Sequence, residues 1–406
     1  MNVKLKVFCD RFYREDQKIS LAIVVWLIVS ALNASIKLYF TLPQSVWGLV
    51  SGIGGLCFYY ALLRVCKIVI RRSGKVLCVT FFVLFFLYMK SVIQNIYELE
   101  AIKSYALWTF FFCLPIGICI YSVCDKKILY ETLLKASYWI AGILSLIVFS
   151  PSTGDTHYNM FFSSSMILPL LLHLNEYIRR RKFFFLLLSL GEILLIVLYG
   201  SRGSLLCLGV FVILNLFYSI KSKVKQVLII GLLFLFGCCY SIYKDQIGGA
   251  ILNYLSSKNY YSRTLILLFQ DEVTDLSGRE VIWRKSKELL FEKPVLGWGV
   301  GGEIVPLSRA SGHVDDESVT TTHNGWLELM LNHGIIVGLI IGLFFVLSII
   351  RVRNIRDYYY RDLMFVFYSA FMTTTMTVGD GYLVKPGVWM YLFLFFASFK
   401  KERTRC

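Results

Sequence analysis

The sequence predicts an all-α polytopic membrane protein with about twelve transmembrane helices, and three observations carry that prediction. Apolar runs of roughly 20 residues recur from Ile19 to Phe399, each long enough to cross a hydrocarbon core of ~30 Å. The chain of 406 residues is 57% hydrophobic and only 17% charged, with a mean hydropathy of +0.65, too little polar surface for a soluble domain of this length. The runs are continuous rather than alternating, which selects helices over a barrel.

In order, the spans fall near 19–36, 45–63, 76–95, 104–123, 134–150, 160–177, 183–200, 204–220, 226–243, 335–350, 362–379 and 386–399. Basic clusters stand between alternate spans, at 64–75, 125–127, 179–182, 221–225, 351–361 and 400–405, and the N-terminal tail adds Lys4, Lys6, Arg11, Arg14 and Lys18. The opposite short loops hold only Lys37, Lys103, Arg202 and Lys385. An excess of Lys and Arg marks the cytoplasmic side, so both termini are expected in the cytoplasm. The net charge of +16 is thus a topology signal, and nucleic acid is excluded as a partner. The eleven cysteines form no CxxC pair and read as small apolar fillers.

The expected organisation is a membrane domain of nine helices over 1–243, a large loop over 244–334 on the far side, and a second membrane part over 335–406 with the last three helices and a cytoplasmic tail. An ordered loop of that length is usually functional. Within it, 275–291 (DLSGREVIWRKSKELLF) has the spacing of a helix opening on Ser277 as a cap, and Pro294 ends it. GWGVGGE (297–303) reads as a flexible turn, and the chain re-enters the membrane through THNGWLELMLNHG, with Thr320 to Thr322 as the expected helix cap.

The groups suited to chemistry lie on that same side. Arg202, in YGSRGSLL, stands where the seventh span ends and the eighth begins, where positive charge is disfavoured by topology. Either it reaches to lipid headgroups, or its guanidinium fork and the adjacent helix N-terminus form an anion site. Arg279, in SGREVIW, opens the loop helix, where a basic side chain opposes that helix's own dipole and would favour an external anion. Arg263, in YYSRT, is a third and weaker anion contact. His323 sits near a helix start, where the dipole disfavours imidazolium, so a neutral ring can accept a proton. Asn324, Glu328 and Asn332 follow at i, i+4, i+8 and share one face, while His333 reads as structural.

His157 (GDTHYN), Asn324 and Trp298 in the glycine-rich turn are candidates for lining the substrate path. Glu192, alone within the seventh span, is a candidate proton-relay carboxyl. GWGVGG lacks the Lys-Ser/Thr of a phosphate loop. HVDDES offers His313, Asp315, Asp316 and Glu317, but near-consecutive residues rarely converge on one ion. No metal and no cofactor is expected.

The order SRG at a span boundary, then GREVIW…LFEKPVLGWGVGG, then HNGWLELMLNHGIIVGL before a final group of spans resembles the O-antigen ligase / O-antigen polymerase superfamily of bacterial membrane glycosyltransferases. The resemblance implies a GT-C-like fold, an undecaprenyl-diphosphate-linked oligosaccharide as donor, and an active site on the periplasmic or extracellular side of the inner (cytoplasmic) membrane. It implies diphosphate contacts for Arg202 and Arg279, the role of base for His323, and a catalytic carboxylate at Glu328. The preferred activity is polymerisation of lipid-linked repeat units into surface polysaccharide, with a chain-length-regulating membrane protein as a further partner. The alternative is a ligase that transfers the finished glycan to lipid A-core. A flippase would place its charges near the midplane, which holds little here beyond Glu192.

Overall fold

The computed structural model describes residues 3–39, 43–95, 99–149, 160–219, 248–254, 279–310, 321–378 and 381–400, with a few further positions between 243 and 269. Among the described residues the regular structure is helical, without strands. Among the described residues five helices are long and apolar enough to cross a membrane, and three shorter apolar ones, Phe183–Tyr199, Arg202–Tyr218 and Pro386–Ala397, accompany them. The ninth expected span, 226–243, lies outside the described residues but for Tyr243. Ser277, His157, Arg263 and the HVDDES run lie outside them as well.

The first two helices are α1 (Val3–Tyr39) and α2 (Gln44–Gln94). At 1.5 Å per residue α2 is roughly 76 Å long. Where the sequence predicts two spans joined by a basic loop at 64–75, α2 therefore runs unbroken. Two adjacent arginines of that stretch are partnered rather than looped out. Arg71 donates to both Glu15 oxygens at 2.8 and 2.7 Å. Arg72 pairs with Glu15 at 2.9 Å and with Asp16, and it donates to the Ser122 carbonyl at 3.1 Å. Asp16 also accepts from the backbone N–H of Asp125 at 2.8 Å. Buried charges persist only when paired and hydrogen-bonded in this way, and the pairing keeps an Arg-rich turn helical.

Helix α3 (Leu99–Trp108) continues through a π-turn, Thr109–Cys113, into α4 (Leu114–Ser122). Then come α5 (Lys126–Ser145), α6 (Met160–Arg180), α7 (Phe183–Tyr199) and α8 (Arg202–Ser219). The second half of the chain supplies α9 (Arg279–Glu292), α10 (Ile304–Ala310), α11 (Gly325–His333), α12 (Ile335–Ser348), α13 (Tyr358–Phe367), α14 (Thr373–Val378) and α15 (Pro386–Ala397).

The chain forms two compact units. The first contains Met1–Trp26, Leu56–Leu133 and Leu276–Cys406; the second contains Leu27–Gly55 and Leu134–Asp275. The described part of 244–334 is accordingly shared between them.

In the first unit α4 packs on α15. A side chain at Gly117 would meet the Phe393 ring at 2.5 Å, so close helix contact depends on glycine there. A second apolar cluster joins Ile282, Leu289 and Leu290 of α9 to Leu307 of α10 and Leu331 of α11, with Trp298, Met330 and Ile335 against it. That cluster fixes α9 against α11. In the second unit α6 packs on α7 and α8. There Glu192, which looks isolated in the sequence, has a partner. Its Oε1 lies 2.8 Å from His173 Nδ1, and His173 Nε2 lies 2.9 Å from Ser137 Oγ.

Candidate functional site

His323 stands in a bulge immediately before α11, with φ +47, a backbone conformation uncommon outside glycine and asparagine. Thr322 holds the bulge from both sides, its Oγ1 donating to the Asn324 carbonyl at 3.0 Å and accepting from the Asn324 N–H at 3.3 Å. His323 Nδ1 lies 3.4 Å from Thr321 Oγ1. The helix cap is Asn324 and not the threonines: its side-chain oxygen accepts from the N–H groups of Trp326 and Leu327 at 3.0 and 3.3 Å. A threonine cap is precluded because the bulge turns the chain between Thr322 and the helix. Asn324→Ala is expected to destabilise the protein by about 1 kcal/mol, measured as a lowered unfolding temperature in detergent.

Helix α9 reaches this bulge through Trp283, whose indole N–H donates to the Thr322 carbonyl at 2.9 Å. Arg279 lies four residues earlier, one turn away on the same helix face, and is partly exposed. Arg279 and His323 thus belong to two elements tied at the residue that holds His323.

The turn 297–303, which the sequence suggests is flexible, is instead clamped. Trp298 and Gly299 donate their N–H groups to the carbonyls of Leu331 and Asn332 at 2.6 and 3.1 Å. Val300 N–H donates to Ser91 Oγ at 2.7 Å, and Asn95 Nδ2 donates to the Trp298 carbonyl. The Trp298 indole donates to the Leu289 carbonyl at 2.9 Å, and its ring carries Lys293 Nζ at 3.7 Å. The glycines are there for contact and conformation: Gly299 has φ +82, and a Cβ on it would lie 2.6 Å from Ser91 Oγ.

Gly334, at the end of α11, has φ +85 and packs its Cα side on Val295 and on the Pro294 carbonyl, to which the Ile335 N–H donates at 2.8 Å. Gly334→Ala combines a strained φ with a backbone clash. It is expected to cost about 3 kcal/mol or more, read as loss of monodisperse protein or a lowered unfolding temperature.

Below the bulge the inner face of α11 is polar and buried. Glu328, 3% exposed, accepts from the N–H of Gly381 through Oε2 at 3.0 Å and from the N–H of Tyr382 through Oε1 at 3.1 Å. Its carboxylate therefore braces the 381–384 turn. Asn332 satisfies its surroundings in one amide orientation, donating to the Gly299 carbonyl at 3.0 Å and to Glu303 at 2.6 and 3.1 Å. His333 Nε2 bonds Tyr382 Oη. Burial, then the nearby Lys90, lowers the His333 pKa to about 4, so the ring is neutral and structural. Burial, reinforced by Glu328, holds the Glu303 carboxyl well above its ordinary range and lifts the Tyr382 phenol likewise.

Of the candidate residues, Arg279, Trp298, His323, Asn324 and Glu328 share the first unit. Arg202 opens α8 in the second unit, and its side chain is exposed. The i, i+4, i+8 pattern resolves into a cap, Asn324, and two buried residues, Glu328 and Asn332. Glu303, unremarked in the sequence, belongs with them. Its signal is an acid that closes a glycine-rich turn directly before a short helix.

A family model described as O-antigen ligase matches residues 183–375, a stretch that includes Arg202, Arg279, Glu303, His323 and Glu328. A comparison with curated proteins finds no significant match.

Proposed function

Residues 183–375 carry a domain of the O-antigen ligase/polymerase superfamily, and on that premise we propose that the protein is a membrane glycosyltransferase acting on a lipid-diphosphate-linked glycan. The observation that carries this reading is the Trp283–Thr322 hydrogen bond. It joins the helix that carries Arg279, a cation, to the bulge that carries His323, a proton acceptor.

The donor is an oligosaccharide on undecaprenyl diphosphate. Arg279 holds the diphosphate. In a partly dry site a guanidinium stabilises the charge that develops on the leaving oxygen. An acceptor sugar hydroxyl attacks C1 of the donor's reducing-end sugar. The new C–O bond forms as the bond from C1 to the diphosphate oxygen breaks, and that bond's electron pair leaves with undecaprenyl diphosphate. The hydroxyl proton passes to the His323 imidazole and then to solvent. The configuration at C1 inverts, and cleavage of the activated donor drives the transfer without nucleotide. Glu328 acts by bracing the 381–384 turn beneath the bulge, in place of a direct catalytic part.

The preferred activity is polymerisation, in which a growing lipid-linked glycan is transferred to the next lipid-linked repeat unit at the outer face of the inner membrane. The second reading is a ligase with lipid A-core as acceptor, an activity within the superfamily of the matching model. Purified protein in nanodiscs, given a lipid-linked repeat unit and no nucleotide sugar, tests both. A ladder of longer lipid-linked glycans supports the polymerase. Transfer only after lipid A-core is added supports the ligase, and no product in either case overturns the transferase reading.

A further inference from the structure

Glu303 has no part in the chemistry above, yet it is 3% exposed in the first unit and lies against the inner face of the helix that His323 precedes. In the amide orientation that satisfies its surroundings, Asn332 Nδ2 donates to both Glu303 oxygens, at 2.6 and 3.1 Å, and to the Gly299 carbonyl at 3.0 Å. One amide thereby ties together the glycine turn, Glu303 and α11. We propose that Glu303 is a positioning residue for transfer at His323: its carboxyl clasps Asn332 and so fixes α11 and the bulge against the glycine turn. The inference rests on the transferase reading for its effect on rate, but the clasp itself does not.

The clasp works with a neutral carboxyl. The groups that face Glu303 are Glu328 from α11, Tyr88 from α2 and Tyr382 from the 381–384 turn, with neutral His333 behind Tyr382. None supplies a positive charge. Two carboxylates in one dry space cannot both ionise cheaply, and burial with Glu328 outweighs the backbone N–H groups of Gly301 and Glu303 that favour the ionised form, holding the Glu303 carboxyl above its ordinary range.

The sign of the pH dependence follows. Above the ordinary carboxyl value of 4.5 an unfolded chain releases the Glu303 proton, while the folded chain keeps it up to the raised value. The folded state binds more protons throughout that window, so Glu303 lowers stability progressively as pH rises through it. A glutamine, neutral at every pH, removes this dependence and retains an acceptor for Asn332.

The test uses full-length protein in nanodiscs, with wild type, Glu303→Gln and Glu303→Ala. Unfolding temperatures are measured without substrate from acid to alkaline pH, and transfer is measured for kcat and KM across the same range. We expect the Glu303→Gln unfolding temperature to exceed that of wild type by a margin that grows as pH rises. Its kcat should stay close to wild type at neutral pH and should lack the alkaline fall expected of wild type. Glu303→Ala should lose about tenfold or more in kcat with little change in KM, the mark of a displaced catalytic group rather than lost binding. Parallel melting of wild type and Glu303→Gln at every pH would overturn the clasp. So would a Glu303→Gln variant as slow as Glu303→Ala. Because melting needs no substrate, diverging curves beside a silent wild-type assay would overturn the transferase reading and leave the clasp standing.

Discussion

Replacing His323 with asparagine is expected to lower kcat for glycosyl transfer by about 10²–10⁴-fold, the range that a positioned general base contributes, while the protein still folds. Asparagine is the informative substitution because residue 323 has φ +47, which asparagine tolerates and alanine does not. An alanine variant would mix loss of the base with strain in the bulge. His323→Gly serves as the companion, since it relaxes the backbone and also lacks the base. If both variants lose transfer while keeping the wild-type unfolding temperature, the imidazole is the missing element. An asparagine variant with wild-type kcat would remove His323 from the mechanism.

Arg279→Ala is expected to lower kcat/KM by about 10²–10³-fold, the effect of removing one preorganised donor from a developing anion. The Trp283–Thr322 bond, one turn along the same helix, does not involve the Arg279 side chain, so the bulge should keep its shape. Arg279→Lys should recover only part of the loss, because an ammonium supplies the charge without the planar fork that meets two phosphate oxygens. The check is a steady-state titration of the lipid-linked donor with acceptor in excess. Equal rates for the arginine, lysine and alanine forms would place the diphosphate elsewhere.

Much of the fold is legible in the sequence because membrane helices leave a local signature. Continuous apolar stretches lie where α4, α7, α8, α12 and α15 occur, and the loop helix ends at Glu292, before Pro294 as predicted. The same rule failed at 64–75. A run of arginines and lysines between two apolar stretches looks like a loop from composition, and nothing local reveals that Glu15 and Asp16 will meet Arg71 and Arg72. Glu192 looks isolated in the sequence for the same reason, its partner His173 lying on another helix. In the site, the residue types fit for chemistry were readable, but their duties were not. Asn324 and Glu328 looked equivalent at one helix spacing; one is the cap and the other braces a turn more than fifty residues away.

By itself the sequence determined the membrane class, the helical segments and the short motifs SRG, GREVIW and HNGWLE, because hydropathy, caps and motif spacing depend on neighbours along the chain. Only the tertiary structure decided that the glycine turn is clamped, that Trp283 ties the Arg279 helix to His323, and that Glu303 and Glu328 share one buried space. Those outcomes depend on which distant groups meet once water is excluded, where an unpaired charge is costly and each polar group must find its partner.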